Sequence, residues 1–289
     1  MESYKVIPFR WNVDKLNELG SLLDYSSIKL DDEFLGELIS SAARILAFSG
    51  NAYCYFVGRS PENYFDLLTA AFYEQKNLRD RINLFQFSRG YSTFEELLAQ
   101  NKTEVESLFS YMKEIGLSPQ QILGRKEKTA FIDLVYSGST FEALLSLYKY
   151  WTEREKENWP EVRKKMRIVG ITERTKNSPN TWRWQQQADW IDLIGESRVK
   201  NVSITYGLWT YLGNHQSKTT LSHHPDKWGK EAAEKPERST YNREGLQIAR
   251  KIFLLGRSKK GREELRRQLI KQNEMKFDWF KAYQQALKS

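Results

Sequence analysis

Residues 131–147 constrain the fold of this 289-residue chain more than any other stretch. Phe131-Ile132-Asp133-Leu134-Val135-Tyr136 is apolar or aromatic at every position but Asp133. Such a run suits a strand covered on both faces, as in a parallel sheet. Ser137-Gly138-Ser139-Thr140 follows as a tight turn of small residues. Phe141, Leu144, Leu145 and Tyr148 then fall on one face of a helix reaching about Glu155. A strand–turn–helix unit of this kind leaves backbone N–H groups free at the positive end of a helix dipole. With the hydroxyls of Ser137, Ser139 and Thr140, it forms a cradle for phosphate.

The same unit recurs along the chain. Ala52–Val57 reads as a buried strand that exits through Gly58-Arg59-Ser60. Ser60 is expected to cap a helix over Glu62–Tyr73, with Pro61 as its first residue. Ile82–Phe87 reads as a third strand, leading into Ser88-Arg89-Gly90-Tyr91-Ser92 and a helix from Phe94. Helices are expected over Val105–Glu114 and from Ser118-Pro119. Met166–Ile171 and Val202–Tyr206 complete the strands. Strands alternating with helices predict an α/β fold with a mostly parallel sheet, flanked by helices and with its exit loops along one edge.

Two flanking segments differ from this pattern. Residues 1–50 suggest a short strand at Tyr4–Phe9, then helices over Val13–Leu23 and Asp31–Ala47, stopped by Gly50. Residues 229–289 read as a basic helical extension. The expected organisation is therefore 1–50, 51–228 and 229–289. The extension holds sixteen Lys and Arg against eight Asp and Glu, which equals the net +8 of the whole chain. Such an imbalance favours an anionic partner. Arg250, Lys251, Arg257, Lys259, Lys260, Arg262, Arg266 and Arg267 cluster there. They point to RNA or DNA phosphates, or simply to a solvated helix face.

A hydrophobic content of 40% supports a packed core and argues against disorder. No apolar run approaches the roughly 20 residues of a membrane span, so no membrane association is expected. One cysteine, Cys54, lies within an apolar run and fits a buried, inert thiol in a reducing, cytoplasmic setting.

The strand and turn at Phe131–Thr140 resemble the signature of type I phosphoribosyltransferases. In that family a buried strand carries two acidic residues, which hold the ribose hydroxyls of phosphoribosyl pyrophosphate (PRPP). A small-residue loop then wraps the 5′-phosphate. The resemblance covers roughly Ala52 to Tyr206 and implies a divergent member. It assigns Asp133 to the second acidic position and the phosphate loop to Tyr136, Ser137, Gly138, Ser139 and Thr140. Ile132 stands at the first acidic position. Gly58, Arg59 and Ser60 match the pyrophosphate loop, with Arg59 as a bidentate donor. Arg89 and Tyr91 match the mobile catalytic loop. The implied chemistry is transfer or cleavage at the anomeric carbon, with Mg2+ bridging pyrophosphate and ribose, and Asp133 and Arg59 as the catalytic groups. Ile132 opens a second reading, a non-catalytic effector that senses a nucleotide. Divergent family members in bacterial defence systems, including retrons, open a third, a nucleic-acid-associated subunit.

Other residues carry two readings each. Glu173 and Arg174 reach the site or form a structural ion pair. Trp182, Trp184 and Trp190, with Gln185, Gln186 and Gln187, cover the site or pack as core. His215, His223 and His224 lie with Asp226 in an aperiodic segment, but the spacing does not favour a metal centre.

Overall fold

The computed structural model describes residues 8–23, 30–89, 93–177, 184–228 and 240–288. Long apolar runs set the strands. β1 (Tyr53–Val57), β2 (Ile82–Phe85), β3 (Thr129–Leu134), β4 (Met166–Glu173) and β5 (Val199–Ile204) form one sheet. All neighbouring strands are parallel, in the order β2-β1-β3-β4-β5. The fold class is α/β, as the alternation predicts. Alternate side chains enter two separate cores. Cys54, Phe56, Ala130, Ile132, Val169, Ile171, Val202 and Ile204 fill one face. Tyr55, Val57, Phe85, Phe131, Ile168 and Val199 fill the other. Both faces need a helical layer, because each is predominantly apolar.

The longer helices among the described residues are α1 (Asp32–Ser49), α2 (Glu62–Ala71), α3 (Lys102–Glu114), α4 (Ser139–Arg154), α5 (Thr240–Arg257), α6 (Lys259–Ile270) and α7 (Asp278–Ala286). Leu38, Ile45, Leu67, Leu68, Ile252, Leu265 and Phe280 bring α1, α2, α5, α6 and α7 onto the first face. Leu108, Met112, Leu144 and Leu147 bring α3 and α4 onto the second. One hydrophobic cluster therefore runs through parts of residues 1–50, 51–228 and 229–289.

Several boundaries shift from the sequence reading. β3 begins at Thr129 and stops at Leu134; Val135 and Tyr136 already belong to the exit loop. β2 stops at Phe85, and the Gln86 N–H donates to the Tyr111 hydroxyl at 2.9 Å instead of continuing the ladder. β5 spans Val199–Ile204, because Thr205 turns the chain by capping the helix Tyr206–Thr210. Ser60 caps nothing: Pro61 occupies the cap position of α2, without a side-chain cap bond. The span Val13–Leu23 holds one helical turn, Leu16–Leu19, ended by Gly20 at φ +46° and continued as a 3-10 turn. Most of the expected strand Tyr4–Phe9 lies outside the described residues, and Pro8 and Phe9 are not in a strand.

The basic extension is held by close packing. An added Cβ at Gly256 of α5 would meet the Leu67 carbonyl oxygen at 2.5 Å and the Ala70 Cβ at 2.8 Å, both on α2. A partly buried ion pair ties the amino-terminal segment to the same helix: Arg10 donates twice to Asp66, at 2.7 and 2.8 Å. Burial pushes Asp66 up to about 6, although Arg10 favours its charged form.

Glycine-to-alanine changes inside helices ordinarily stabilise by about 1 kcal/mol. At Gly256 the sign should reverse, with a loss of about 1–3 kcal/mol from overpacking against α2. Urea unfolding of Gly256→Ala checks this; a more stable variant would mean that α5 does not lie against α2.

Candidate functional site

The strand order creates the site. β1 connects to β2 through α2 on one face, whereas β3 leads into α4 on the other. The chain thus leaves two adjacent central strands in opposite directions. A crevice opens at their carboxyl ends, the usual ligand position in open parallel sheets. The register pairs Phe56 with Ile132, so Val57-Gly58 and Asp133-Leu134 leave the sheet side by side. The two loops singled out from sequence, Gly58-Arg59-Ser60 and Tyr136–Thr140, therefore flank one crevice.

The β3 exit has the form of an anion cradle. Gly138 has φ +84° and precedes the 16-residue helix α4. An added Cβ there would approach the Trp184 ring at 2.7 Å and the Trp190 ring at 2.9 Å. Glycine is required both by the left-handed backbone and by this contact. Trp184 and Trp190 are buried, with ring centroids 5.7 Å apart, and Trp184 Nε1 donates to Asn201 at 3.0 Å. They prop the turn from below. Trp182 lies outside the described residues. Ser137 is exposed, Ser139 and Thr140 are half-buried, and Tyr136 is 74% exposed beside the Trp209 ring.

Asp133 is 7% exposed. Its carboxylate accepts from the Leu134 N–H at 2.7 Å and from the Thr140 hydroxyl, with Lys218 nearby. Burial nevertheless dominates and pushes its pKa up to about 7. Ile132 is fully buried on the opposite face of the sheet, within the apolar cluster. It presents no group to the crevice.

Sequence reasoning missed the segment that spans β1 and β2. Gln216, Ser217, Lys218, Thr219 and Thr220 are all buried, although none is apolar. Thr219 and Thr220 both donate to Glu62, which is 1% exposed at the start of α2. Gln86 Nε2 donates to the Thr220 hydroxyl at 3.2 Å. Lys218 Nζ donates to the Leu212 carbonyl and to Gln216, both at 2.7 Å. Burial lowers Lys218 to about 8, against the pull of Glu62 and Asp133 and together with repulsion from Arg59. Farther on, Ser88 N–H donates to the His223 carbonyl at 3.0 Å, and His224 Nδ1 donates to the Arg89 carbonyl at 3.1 Å. No periodicity marks this segment, and only its histidines stand out in the sequence.

The other expected residues fall as follows. Arg59 is half-buried, with Nη1 3.5 Å from the Thr220 carbonyl. Arg89 follows β2 beside the 223–224 segment, while Tyr91 lies outside the described residues. Glu173 accepts from Thr175, and Arg174 pairs with Glu37 at 3.5 Å, so both serve local structure. His215 is exposed, whereas His223 is buried and lowered to about 4, chiefly by desolvation and then by Lys227. Among the described residues no group of three or more His, Cys, Asp or Glu is placed to hold a metal ion. No helix among them is long and apolar enough to cross a membrane.

The carboxyl ends of β1 and β3 thus bring together Arg59, Lys218, the amino-terminus of α4 and Asp133, whose carboxyl burial holds partly protonated near neutral pH, with Glu62 as a second buried carboxyl group near Lys218. Cations, hydroxyls and a helix amino-terminus are the groups with which proteins commonly receive oxygen-rich anions. Compared with known proteins, the chain matches no family model, no curated protein and no solved structure.

The Asp133 shift has a stability consequence. A carboxyl raised above its unfolded value of about 4 favours folding below that pH, and the contribution is lost as pH rises toward 7. Asp133→Asn should flatten this slope and raise stability at pH 8 by about 2–4 kcal/mol. Urea unfolding between pH 4 and 8 measures both effects. Equal slopes in the two proteins would place the Asp133 carboxyl in water.

Proposed function

We propose that this chain is a divergent phosphoribosyltransferase-like protein that binds PRPP, or another ribose 5-phosphate nucleotide, in the crevice between β1 and β3. The supporting observation is the pairing of two loops on adjacent strands. Tyr136–Thr140 offers a helix amino-terminus and hydroxyls to one phosphate, and Gly58-Arg59-Ser60 offers an arginine to a second. Asp133 lies between the strand end and the cradle, within reach of a sugar held by its phosphate. In the transferase reading, the carbon–oxygen bond to pyrophosphate breaks as an acceptor attacks the anomeric carbon. Arg59 and Lys218 stabilise the charge that grows on the leaving group.

Magnesium fits this site in a limited sense. It is commonly held by one or two carboxylates together with substrate phosphates and water. Asp133 would be the one carboxylate ligand. The metal would supply charge neutralisation on the pyrophosphate.

A second reading is a non-catalytic nucleotide sensor, favoured by Ile132, whose side chain is spent in the core where the family carries an acid. Nucleic-acid association through the basic extension is a partner proposal. There Lys259, Lys260 and Arg267 project into solvent. Arg250 donates to the Val13 carbonyl, Arg257 stacks 3.8 Å from the Tyr73 ring centroid and pairs with Glu74, and Arg262 donates to the Arg257 carbonyl.

Calorimetry with PRPP and Mg2+ tests the binding claim. Wild type should bind, and Ser137→Ala combined with Thr140→Ala should weaken binding at least tenfold, or about 1.4 kcal/mol. Absent binding, or unchanged binding by the double variant, would overturn it. Pyrophosphate release with an acceptor base separates the transferase from the sensor.

A further inference from the structure

The opposite, amino-terminal edge of the sheet carries a second cleft, of about 480 Å³. Its walls come from the end of α1, the β3 approach, β4, the segment before α7 and the start of α7 itself. Three cations line it: Lys126, Lys128 and Arg167. Lys165 and Arg198 stand behind them, close enough that both, with Arg167, hold the Lys128 ammonium below its usual value after burial has done so. The carboxylates facing the cleft are Glu127 and Glu274. Glu127 is engaged with Arg81 at 3.2 Å. Arg167 donates to the Phe48 carbonyl at 2.9 Å, which fixes its guanidinium at the cleft wall. Cations gathered this way repel one another, and a bound anion would relieve that repulsion.

The remaining wall is aromatic. Phe277 and Trp279 lie nearly parallel, with centroids 6.0 Å apart and planes 16° apart. Phe277 is 45% exposed, and Lys276 Nζ sits 5.2 Å from its ring centroid. A platform of rings beside a group of cations matches a flat heterocycle carrying a phosphate. The cleft volume falls within the range of small-ligand sites.

We propose that this amino-edge cleft binds a nucleoside phosphate, with its base on Phe277 and Trp279 and its phosphate on Lys126, Lys128 and Arg167. The site is separate from the crevice between β1 and β3 and does not depend on the reading given to that crevice.

Equilibrium binding to the full chain tests this with AMP, inorganic phosphate and a 5′-phosphorylated tetranucleotide. AMP should bind at least tenfold more tightly than inorganic phosphate. Phe277→Ala and Lys128→Gln, both at exposed positions, should each weaken AMP about tenfold while the proteins keep the wild-type melting temperature. Ser137→Ala with Thr140→Ala should leave AMP binding unchanged. A tetranucleotide that binds more tightly than AMP would identify the ligand as a strand end, and weaker binding would identify a free nucleotide; either supports the site. No AMP binding, equal binding of AMP and phosphate, or binding lost only in the Ser137/Thr140 variant would overturn it.

Discussion

The central pairing of β1 with β3 is the constraint on which the rest of the molecule depends. Both strands are buried on two faces, so each must be followed by a helix that covers one face. The helix after β1 covers one side and the helix after β3 covers the other. Neither can cross above the strand ends, and a crevice is left between them. Much of what the crevice offers then follows from what the two exit loops carry. One brings Arg59, and the other brings a glycine turn at a helix amino-terminus.

That crevice is built against stability. Asp133, Glu62 and Lys218 are all buried, and each would be better solvated outside. Glu62 is compensated by two hydroxyl donors and Lys218 by two oxygen acceptors. Asp133 accepts from the Leu134 N–H and the Thr140 hydroxyl, and burial still drives its carboxyl toward the neutral form. A polar group left costly in a cleft, when a core aspartate could have been replaced by an apolar residue, is a mark of a binding site. The polar segment 216–220 also explains how α5 is seated. An added Cβ at Gly245 would meet the Ser217 and Lys218 carbonyl oxygens at 2.7 Å, so this helix closes directly over the segment.

The basic extension serves two purposes at once. Its apolar stripe completes the core on the first face, and several of its arginines are spent on internal carbonyls, an aromatic ring and an ion pair. Counting charges in the sequence therefore overstates the cations free for a partner. The outward set is concentrated on α6 and includes Lys259, Lys260 and Arg267, of which Lys259 pairs with Glu263 and Arg267 with Glu264. The cations at the amino edge, by contrast, come from scattered positions on β4 and on the approaches to β3, β4 and β5. They form a group only because parallel strands begin side by side.

Sequence by itself determined the α/β class, the approximate strands and the two exit loops. These are local properties: an unbroken apolar run must be buried on both faces, and a small-residue turn before an amphipathic helix has few other conformations. It also determined that Asp133 is exceptional, since a lone carboxylate in such a run demands a reason. Strand ends moved by two or three residues, because Gln86 and Thr205 find partners that lie far away or cap the next turn. Only the tertiary structure decided that Glu62 is a buried acceptor rather than an ordinary acid in a first helical turn. Only it brought Lys218, Thr219 and Thr220 to the crevice, from more than 150 residues along the chain from Glu62. Their hydrogen bonds are made between segments with no periodic pattern, and nothing local in either partner announces the other.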